Sequence, residues 1–341
     1  MTRQYRIPPV SNDAEGRPRA AGYEFEMGNL PVTRAAEFLQ QSLGGELDIL
    51  SPFEATLDGT ILGKLKIERD AQALKSVRYR KWLSQLGIEF DPGTIAHEIE
   101  TNIDSASSIL IPCEVVTEPV PFAQMDALDE LVAALNELGA EGTQDSLIYA
   151  FGMHINPSAP ALDAVTLCRH LQAFILLYSW IVETADIDLT RRYFTKFIDP
   201  FPQDYVEHIL RAQYAPTLEE FTADYLRDNP TRNRALDMLP LLQELNPDQV
   251  QAGLDEDERA LVKGRPAFHY RLPDCKVNQA GWSASLAWNQ WVWVETLAAD
   301  EQLLFELIGE WQGSNATFSL TPQNSWTQRL TSFLSRKFFE R

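Results

Sequence analysis

The sequence predicts an α+β fold in which helices pack on one face of an antiparallel sheet. Several short segments alternate between apolar and polar residues, which is the pattern of a half-buried strand. Longer segments repeat apolar residues every three or four positions, as amphipathic helices do. The alternating segments are residues 22–27, 112–119, 151–156 and 268–272. Together these two patterns favour a sheet with one apolar face, on which the helices pack, and one polar face.

The size and charge of the chain are those of a globular protein with ample core. It has 341 residues, of which 45% are hydrophobic and 23% are charged, and its net charge is −20. So acidic a chain is not expected to bind nucleic acid through a broad basic surface. No linker or repeat interrupts it, so we expect an extended lead-in over residues 1–20 and one domain over residues 21–341.

The cysteines and the apolar stretches favour a cytoplasmic protein without a membrane partner. The three cysteines are far apart and none forms a CxxC pair, which argues against a disulfide framework and a zinc knuckle. Residues 1–20 lack the apolar stretch of a signal peptide. The longest apolar run, residues 171–182, is too short to span a bilayer and is interpreted as a buried helix. The sequence does not predict the oligomeric state.

The first elements follow from cap and turn residues. A strand near residues 23–28 precedes a helix with Thr33 as its N-cap, and Gly44 and Gly45 end that helix. Residues 46–50 and 60–70 are expected to form a strand pair that turns at Asp58 and Gly59.

Helical periodicity dominates the rest of the chain. Residues 162–183 are predicted to be the central, most apolar helix, and the Trp-rich stretch at residues 282–293 is read as a buried helix. Other helices are expected over residues 71–83, 122–138, 283–310 and 325–339, with several short ones over residues 189–242 and a last strand over residues 267–272.

The polar faces of the predicted strands carry unusual chemistry. Glu24 and Glu26 share one strand face, with their Cα atoms about 7 Å apart. Glu114 and Glu118 share a face of another predicted strand. Carboxylates crowded on one sheet surface repel each other unless a cation lies between them. Their hard oxygen atoms suit a divalent cation such as Mg²⁺. A solvated strand face would give the same pattern.

The later strands add nitrogen ligands and a fixed positive charge. His154 and Asn156 share a face with Gly152, where the missing side chain leaves room for a ligand. His269 and Arg271 also share a face, and an arginine beside carboxylates suits a phosphate or carboxylate ligand. A structural ion pair with one of the acids is the alternative.

Common nucleotide and hydrolase motifs are missing from the sequence. It contains no Walker-type or dinucleotide-binding glycine loop, no GxSxG and no HExxH. None of its cysteines lies in an obvious activating context. If ATP binds, it must therefore bind through metal-bridged phosphates on the sheet.

Six short motifs occur in the order found in one known family. They lie at residues 22–26, 63–70, 112–119, 152–156, 234–238 and 269–274. On these residues the chain resembles the amidoligase family, ATP-dependent carboxylate–amine ligases related in fold to glutamine synthetase and glutamate–cysteine ligase. The resemblance covers roughly residues 22–300 and implies a catalytic fold similar to that of glutamine synthetase.

The resemblance implies ATP and Mg²⁺ (or Mn²⁺) as cofactors and assigns roles to particular residues. Arg271 would meet the γ-phosphate, and Glu68 or Asp70 would hold or deprotonate the incoming amine. The metal ligands would be Glu24, Glu26, Glu114, Glu118, His154 and His269, and the ATP or substrate contacts would be Arg234, Arg271, Asn156 and Asp237. The chain departs from the family at two positions: the family often has Glu where this chain has His269, and Asn where it has Asp237.

The reaction implied by the resemblance has two steps, formation of an acyl phosphate and its aminolysis to an amide. The partners would be a small-molecule amine and a carboxylate or peptide, whose identity the sequence does not give. Two alternatives stay open: another ATP- and Mg²⁺-dependent phosphotransfer or ATP-hydrolysing enzyme on the same scaffold, and a non-catalytic binding protein.

Overall fold

The computed structural model describes residues 4–28, 30–69, 112–140, 151–185, 187, 198–314 and 325–334. Within these residues the chain forms nine strands, one 3₁₀-helix and eleven α-helices. The strands pair antiparallel into one sheet. The prediction of an α+β fold with an antiparallel sheet is therefore confirmed.

The first strand along the chain lies in the middle of the sheet. The sheet order is β2-β3-β4-β5-β1-β7-β9-β8, and β6 also pairs with β1. The strands are β1 Ala20–Met27, β2 Glu46–Ser51, β3 Glu54–Thr60, β4 Gly63–Arg69, β5 Cys113–Thr117, β6 Val120–Pro121, β7 Met153–Pro157, β8 Leu236–Asp237 and β9 His269–Tyr270.

Local side-chain caps explain where several helices begin. Asp163 accepts a hydrogen bond from the Thr166 N–H at the start of α3, and Thr217 and Glu220 form a capping box at α5. The α-helices are α1 Val32–Leu43, α2 Leu128–Leu138, α3 Ala164–Thr184, α4 Gln203–Ile209, α5 Leu218–Asp228, α6 Leu239–Leu245, α7 Pro247–Gly253, α8 Glu256–Leu261, α9 Ser285–Ala299, α10 Glu301–Gly313 and α11 Ser325–Leu334, and the 3₁₀-helix is Phe122–Ala127.

The predicted hairpin turn at Asp58 and Gly59 is wrong. Both residues lie inside β3, a strand that the sequence did not predict, and the register shifts between Leu57 and Thr60. Gly59 has φ 74°, so its backbone freedom serves this irregularity of the strand rather than a turn. The chain instead turns between β2 and β3 and between β3 and β4.

Three helix predictions also need correction. Pro31, not Thr33, is the N-cap of α1, and no side chain caps that helix. The single helix expected over residues 283–310 is divided at Asp300, whose side chain accepts a hydrogen bond from Leu303 and starts α10. Asp237, inside the range 189–242 where the sequence predicts short helices, lies in β8. The helix predicted over residues 71–83 lies outside the described residues.

Helices cover the apolar face of the sheet. Tyr23, Phe25 and Met27 of β1 point into the core, and α1 packs on β2, β3 and β4. At the other end, Tyr270 of β9 packs against Phe174 of α3 (ring centroids 5.8 Å apart) and against a tryptophan of α9. Burying each such side chain contributes about 1.5–3 kcal/mol.

The central helix α3 is longer than the apolar run that predicted it. By length and composition, its 21 residues are sufficient to cross a membrane. The prediction that this segment is too short to span a bilayer is therefore wrong. Most of the helix is nevertheless buried, and it contacts α4, α5, α9, α10 and α11. It is the core helix that the sequence predicted.

The N-terminal lead-in packs on α9. The indole N–H of Trp288 donates to the carbonyl of Arg6 at 2.7 Å, and the Arg6 guanidinium lies 4.7 Å from the ring of Trp293. At the end of the lead-in, Arg19 forms a buried ion pair with Glu295. The lead-in thus runs to the start of β1 along the helical layer.

Candidate functional site

The strand registers bring the predicted polar residues onto one face of the sheet. Glu26 of β1 lies opposite Glu114 of β5, and Glu24 lies opposite His154 of β7. Since every second residue of a strand shares a face, these side chains all point away from the apolar core. The alternation in the sequence therefore gave the correct face for all four residues.

The short strands β8 and β9 extend the same polar face. Tyr270 pairs with Ile155 of β7 and packs in the core, so its neighbours His269 and Arg271 point to the polar side. Asp237 of β8 lies directly opposite His269. The polar residues of β8 and β9 thus continue the surface that β1, β5 and β7 begin.

Glu24 is the centre of this site. Its Oε2 lies 2.9 Å from His154 Nδ1 and 3.9 Å from His269 Nε2. Its Oε1 accepts a hydrogen bond from Asn156 Nδ2 at 2.7 Å and lies 3.4 Å from Nη1 of Arg265. Burial alone would raise the pKa of Glu24, but the hydrogen bond with His154 and the charge of Arg265 hold that pKa well below its usual range.

His154 joins two groups of possible metal ligands. Its Nδ1 faces Glu24, while its Nε2 lies 3.7 Å from Oε1 of Glu26. One group is Glu24, His154 and His269, and the other is Glu26, Glu114 and His154, with the ligand atoms of each group within 4.8 Å of one another. A neutral imidazole has one lone pair, so each tautomer of His154 can ligate a cation in only one of the two groups.

The surroundings of the two groups fit divalent cations. Nε2 of His269 is buried without a hydrogen-bond partner, and it faces the carboxylate of Glu24. In the second group, Oε2 of Glu26 accepts the Gly152 N–H at 2.7 Å, which fixes the carboxylate beside His154. Carboxylate oxygen and imidazole nitrogen are donors for Mg²⁺, Mn²⁺ and Zn²⁺. The residues present therefore suit a metal ion.

The two departures from the family pattern, His269 and Asp237, contact each other. His269 Nδ1 lies 3.4 Å from Oδ2 of Asp237. Burial lowers the pKa of His269 to about 3 against the opposing effect of Asp237 and Glu24, so the ring is neutral at pH 7. Burial would raise the pKa of Asp237, but the hydrogen bond with His269 and the charge of Arg232 lower it.

Three arginines border the site, and the sequence pointed to only one of them. Arg232 Nε lies 3.3 Å from Asp237, and Arg271 donates to the backbone carbonyl of Arg232. Burial and the neighbouring Arg232 lower the pKa of Arg271. Nε of both Arg265 and Arg271 is buried without a partner. Arg232 and Arg265 lie outside the strands, where no alternating pattern marks the direction of a side chain.

Three further predicted site residues, Glu118, Arg234 and Glu68, have partners outside the two metal-ligand groups. Glu118 belongs to neither group and accepts the Lys64 N–H at 3.1 Å. Arg234 is buried and donates to the carbonyls of Pro200 and Asp228. Glu68 lies opposite Glu114 in the register of β4 and β5, and its carboxylate binds the Lys66 ammonium at 2.7 Å. Lys66 also lies 3.2 Å from Glu54. Asp70 is outside the described residues.

Fold and site together define a class: an α+β protein whose antiparallel sheet carries carboxylates and imidazoles bordered by arginines. A family model described as "Putative amidoligase enzyme" matches residues 17–293. The chain belongs to this family, and the resemblance drawn from its six motifs is confirmed. Comparison with curated proteins and with solved structures gave no match.

Proposed function

We propose that the protein is an ATP-dependent carboxylate–amine ligase. The observation that carries the proposal is the meeting of two acid–imidazole groups and three arginines on one sheet face. Such a face combines ligands for cations with donors for phosphate, which is the combination that phosphoryl transfer from a nucleotide requires. A fold similar to that of glutamine synthetase and a cytoplasmic location belong to the same proposal.

In this proposal, divalent cations, Mg²⁺ or Mn²⁺, are held by Glu26 and Glu114 on one side and by Glu24 and His269 on the other. His154 is a ligand of one of these cations, through one ring nitrogen. When bound, the cations would neutralise the negative charge of the ATP phosphates. Asn156 holds Glu24 in place through its 2.7 Å hydrogen bond. The second oxygen of Glu24 therefore stays directed at the imidazoles.

The arginines would receive the anionic groups of ATP and of the carboxylate substrate. Arg271 is the residue we assign to the γ-phosphate, because its Nε is buried without a partner beside Glu24 and Asp237. Arg265 reaches Glu24 from the neighbouring loop and is a second candidate donor. Arg234 is held by backbone carbonyls, so we propose that it positions the segment before β8.

The chemistry would proceed in two balanced steps. An oxygen of the substrate carboxylate attacks the γ-phosphorus, the bond to the bridging oxygen breaks, and ADP leaves with an acyl phosphate formed. The amine nitrogen then attacks the acyl carbon, and inorganic phosphate leaves as the amide forms. We propose that Glu68 holds the amine and takes its proton, since its carboxylate already binds the ammonium of Lys66.

The substrates would be a small-molecule amine together with a carboxylate or a peptide. The test is ADP release from ATP and Mg²⁺, with and without a pool of amino acids and short peptides. We expect amine-dependent turnover in the wild type and none in Glu24→Gln/Glu26→Gln. The matched control is Glu37→Gln/Glu46→Gln, which changes two exposed acids and should keep full turnover.

Each other outcome rejects a specific part of the proposal. ADP release that does not depend on an amine would indicate the phosphotransfer or hydrolase alternative. Failure of the wild type to bind Mg²⁺-ATP would indicate a non-catalytic protein. A Glu68→Gln variant that kept the full ligation rate would remove the role of Glu68 alone.

A further inference from the structure

The two acid–imidazole groups differ in the atoms that they offer. The group of Glu24, His154 and His269 has two imidazoles and one carboxylate, whereas the group of Glu26, Glu114 and His154 has two carboxylates and one imidazole. We propose that the Glu24–His154–His269 group binds a borderline transition-metal ion, of the Zn²⁺ or Co²⁺ type, in preference to Mg²⁺. In this proposal Asp237 is the residue that positions His269.

The first support is the unpartnered nitrogen of His269. The residue is only 2% exposed, and its Nε2 has no hydrogen-bond partner. A buried polar atom that lacks a hydrogen-bond partner destabilises the folded state. Because Nδ1 faces Asp237, Nε2 is directed to the other side of the ring, where it lies 3.9 Å from Glu24. A cation between these two atoms would satisfy both.

The distances suit one shared ion. Bonds of about 2.0–2.2 Å to nitrogen and oxygen place neighbouring ligand atoms about 3.0–3.5 Å apart. Oε2 of Glu24 lies 2.9 Å from His154 Nδ1 and 3.9 Å from His269 Nε2. All three ligand atoms lie within 4.8 Å of one another, so side-chain shifts of about 1 Å would bring them to bonding distance of one ion.

The donor set selects the class of metal. Imidazole suits Zn²⁺, Ni²⁺ and related ions, whereas Mg²⁺ prefers carboxylate, carbonyl and water oxygen and keeps several waters. The Glu24–His154–His269 group is also the more enclosed of the two, because His154 and His269 are buried while Glu26 and Glu114 are half-buried. We therefore assign the hard cation of the proposed ligase to Glu26 and Glu114, while His154 uses its Nδ1 lone pair, which faces Glu24, for the transition-metal ion.

Asp237 lies where a carboxylate could orient a metal-binding histidine through the ring nitrogen that does not bind the metal. It lies opposite His269 in the register of β8 and β9, and its Oδ2 is 3.4 Å from Nδ1 of that ring. Arg232 and the Leu239 N–H hold the carboxylate. Arg232 Nη2 also lies 3.4 Å from Nδ1 of His269. In the tautomer whose Nδ1 donates to Asp237, the lone pair of Nε2 is left for a metal.

The experiment measures metal binding directly, without ATP. The full chain is stripped with a chelator and titrated with Co²⁺, which is followed by its visible absorption, and with Zn²⁺ and Mg²⁺ by calorimetry. We expect the wild type to bind one Co²⁺ or Zn²⁺ at least about 100-fold more tightly than Mg²⁺, as the donor set implies. Asp237→Asn should weaken Co²⁺ binding by about 10–100-fold.

A charge-balanced exchange tests the role of the imidazole. Asp237→Asn/His269→Glu replaces an aspartate and a neutral histidine by a neutral amide and a carboxylate, and it should reduce the preference for Co²⁺ over Mg²⁺ by at least about tenfold. The chain offers a matched control in Asp224 and His208, a second Asp–His pair at 2.8 Å in neither metal group. Asp224→Asn and His208→Gln should leave metal binding unchanged.

Two results would overturn the inference. One is a wild type that binds Mg²⁺ as tightly as Co²⁺ and Zn²⁺. The other, which needs no variant to fold, is an X-ray absorption spectrum of the Zn²⁺-loaded wild type that shows no imidazole ligand. The inference rests on the proposed function only for the use of the ion in catalysis. Metal preference without ligation would reject the ligase, whereas Mg²⁺-dependent ligation without the preference would reject only the present inference.

Discussion

Arg19 and Glu295 form a bidentate ion pair inside the protein. Nη1 and Nη2 of Arg19 lie 2.7 Å from the two carboxylate oxygens, and both side chains are almost fully buried. Trp291 donates its indole N–H to the same carboxylate at 2.7 Å, and the carbonyl of Ser158 accepts from the guanidinium. One pair thus ties the lead-in, the end of β7 and α9 together.

We predict that Glu295→Ala lowers the free energy of unfolding by about 3–5 kcal/mol, because it leaves the charge of Arg19 buried without a counter-charge. Denaturant unfolding measures the change. The control is Glu301→Ala, which removes the more exposed pair with Arg169 and should cost less than about 1 kcal/mol. Equal losses in the two variants would contradict the prediction.

We predict that Arg265→Ala weakens the binding of a non-hydrolysable ATP analogue with Mg²⁺ by about 10–100-fold. A hydrogen bond to a charged group contributes about 1.5–3 kcal/mol, and the guanidinium lies at the edge of the site beside Glu24. Calorimetry gives the affinity. Arg227→Ala, which removes an exposed arginine that pairs with Asp224 and Asp228, should bind like the wild type. Unchanged affinity in Arg265→Ala would exclude its contact with the nucleotide.

Gly22 and Gly63 should respond in opposite ways to a larger side chain. The atoms nearest to a Cβ at Gly22 would belong to Asn156 and Thr117, at 3.8 Å, which is ordinary contact. We predict that Gly22→Ala keeps the melting temperature within about 3 °C, because its Cβ makes only ordinary contact at this buried position. Gly22→Leu should lower ligase turnover because its side chain extends over Asn156. A fully active Gly22→Leu variant would show that no ligand approaches this strand.

Gly63→Ala supplies the contrasting result. Gly63 has φ 77°, and an added Cβ would lie 2.7 Å from Oε2 of Glu118. Forcing a residue with a side chain into this conformation costs about 1–2 kcal/mol, so we expect a lower melting temperature with turnover per folded molecule unchanged. Thermal unfolding and the ADP assay on the same samples separate the two effects.

Asp224 gives a prediction on pH. Burial would raise the pKa of Asp224, but hydrogen bonds from His208, Arg227 and Tyr214 lower it. A lowered carboxyl pKa stabilises the folded state above the ordinary value of about 4, and this stability is lost as the pH falls through the folded value. The wild type should therefore exceed Asp224→Asn in stability at pH 6, and the difference should shrink below about pH 4. Urea unfolding at the two pH values measures it, and a difference that stays constant would contradict the assignment.

The sequence was sufficient to predict which side chains share a face of the sheet. Alternation with period two is a local property of each strand, so Glu24 with Glu26, and His154 with Asn156, could be placed on one side without knowing the fold. Which strands lie next to each other is not local. The pairing of β1 with both β5 and β7 decides that Glu24 meets His154 rather than Glu114.

The site residues that lie in loops or in very short strands could not be predicted from the alternating pattern. Arg265 and Arg232 reach the site from loops, and the contact between His269 and Asp237 depends on the pairing of two strands of two residues each. Glu118 continues the alternating pattern of β5, but it lies beyond the end of that strand. There its carboxylate accepts a hydrogen bond from the backbone N–H of Lys64. An alternating pattern determines which face of the sheet a side chain lies on, but it does not determine how far that side chain lies from the centre of the site.

The position of α3 has a consequence for the order of events during synthesis. This helix emerges from the ribosome well before α9, α10 and α11, the helices that cover much of it. Until residues 285–334 have been made, the part of its apolar surface that these three helices cover has no native partner. To the targeting machinery of the cell, α3 then presents the length and composition of a membrane-inserting segment. The C-terminal helices therefore protect α3 by covering it. A nascent chain that stalls before these helices are made leaves much of the apolar surface of α3 exposed.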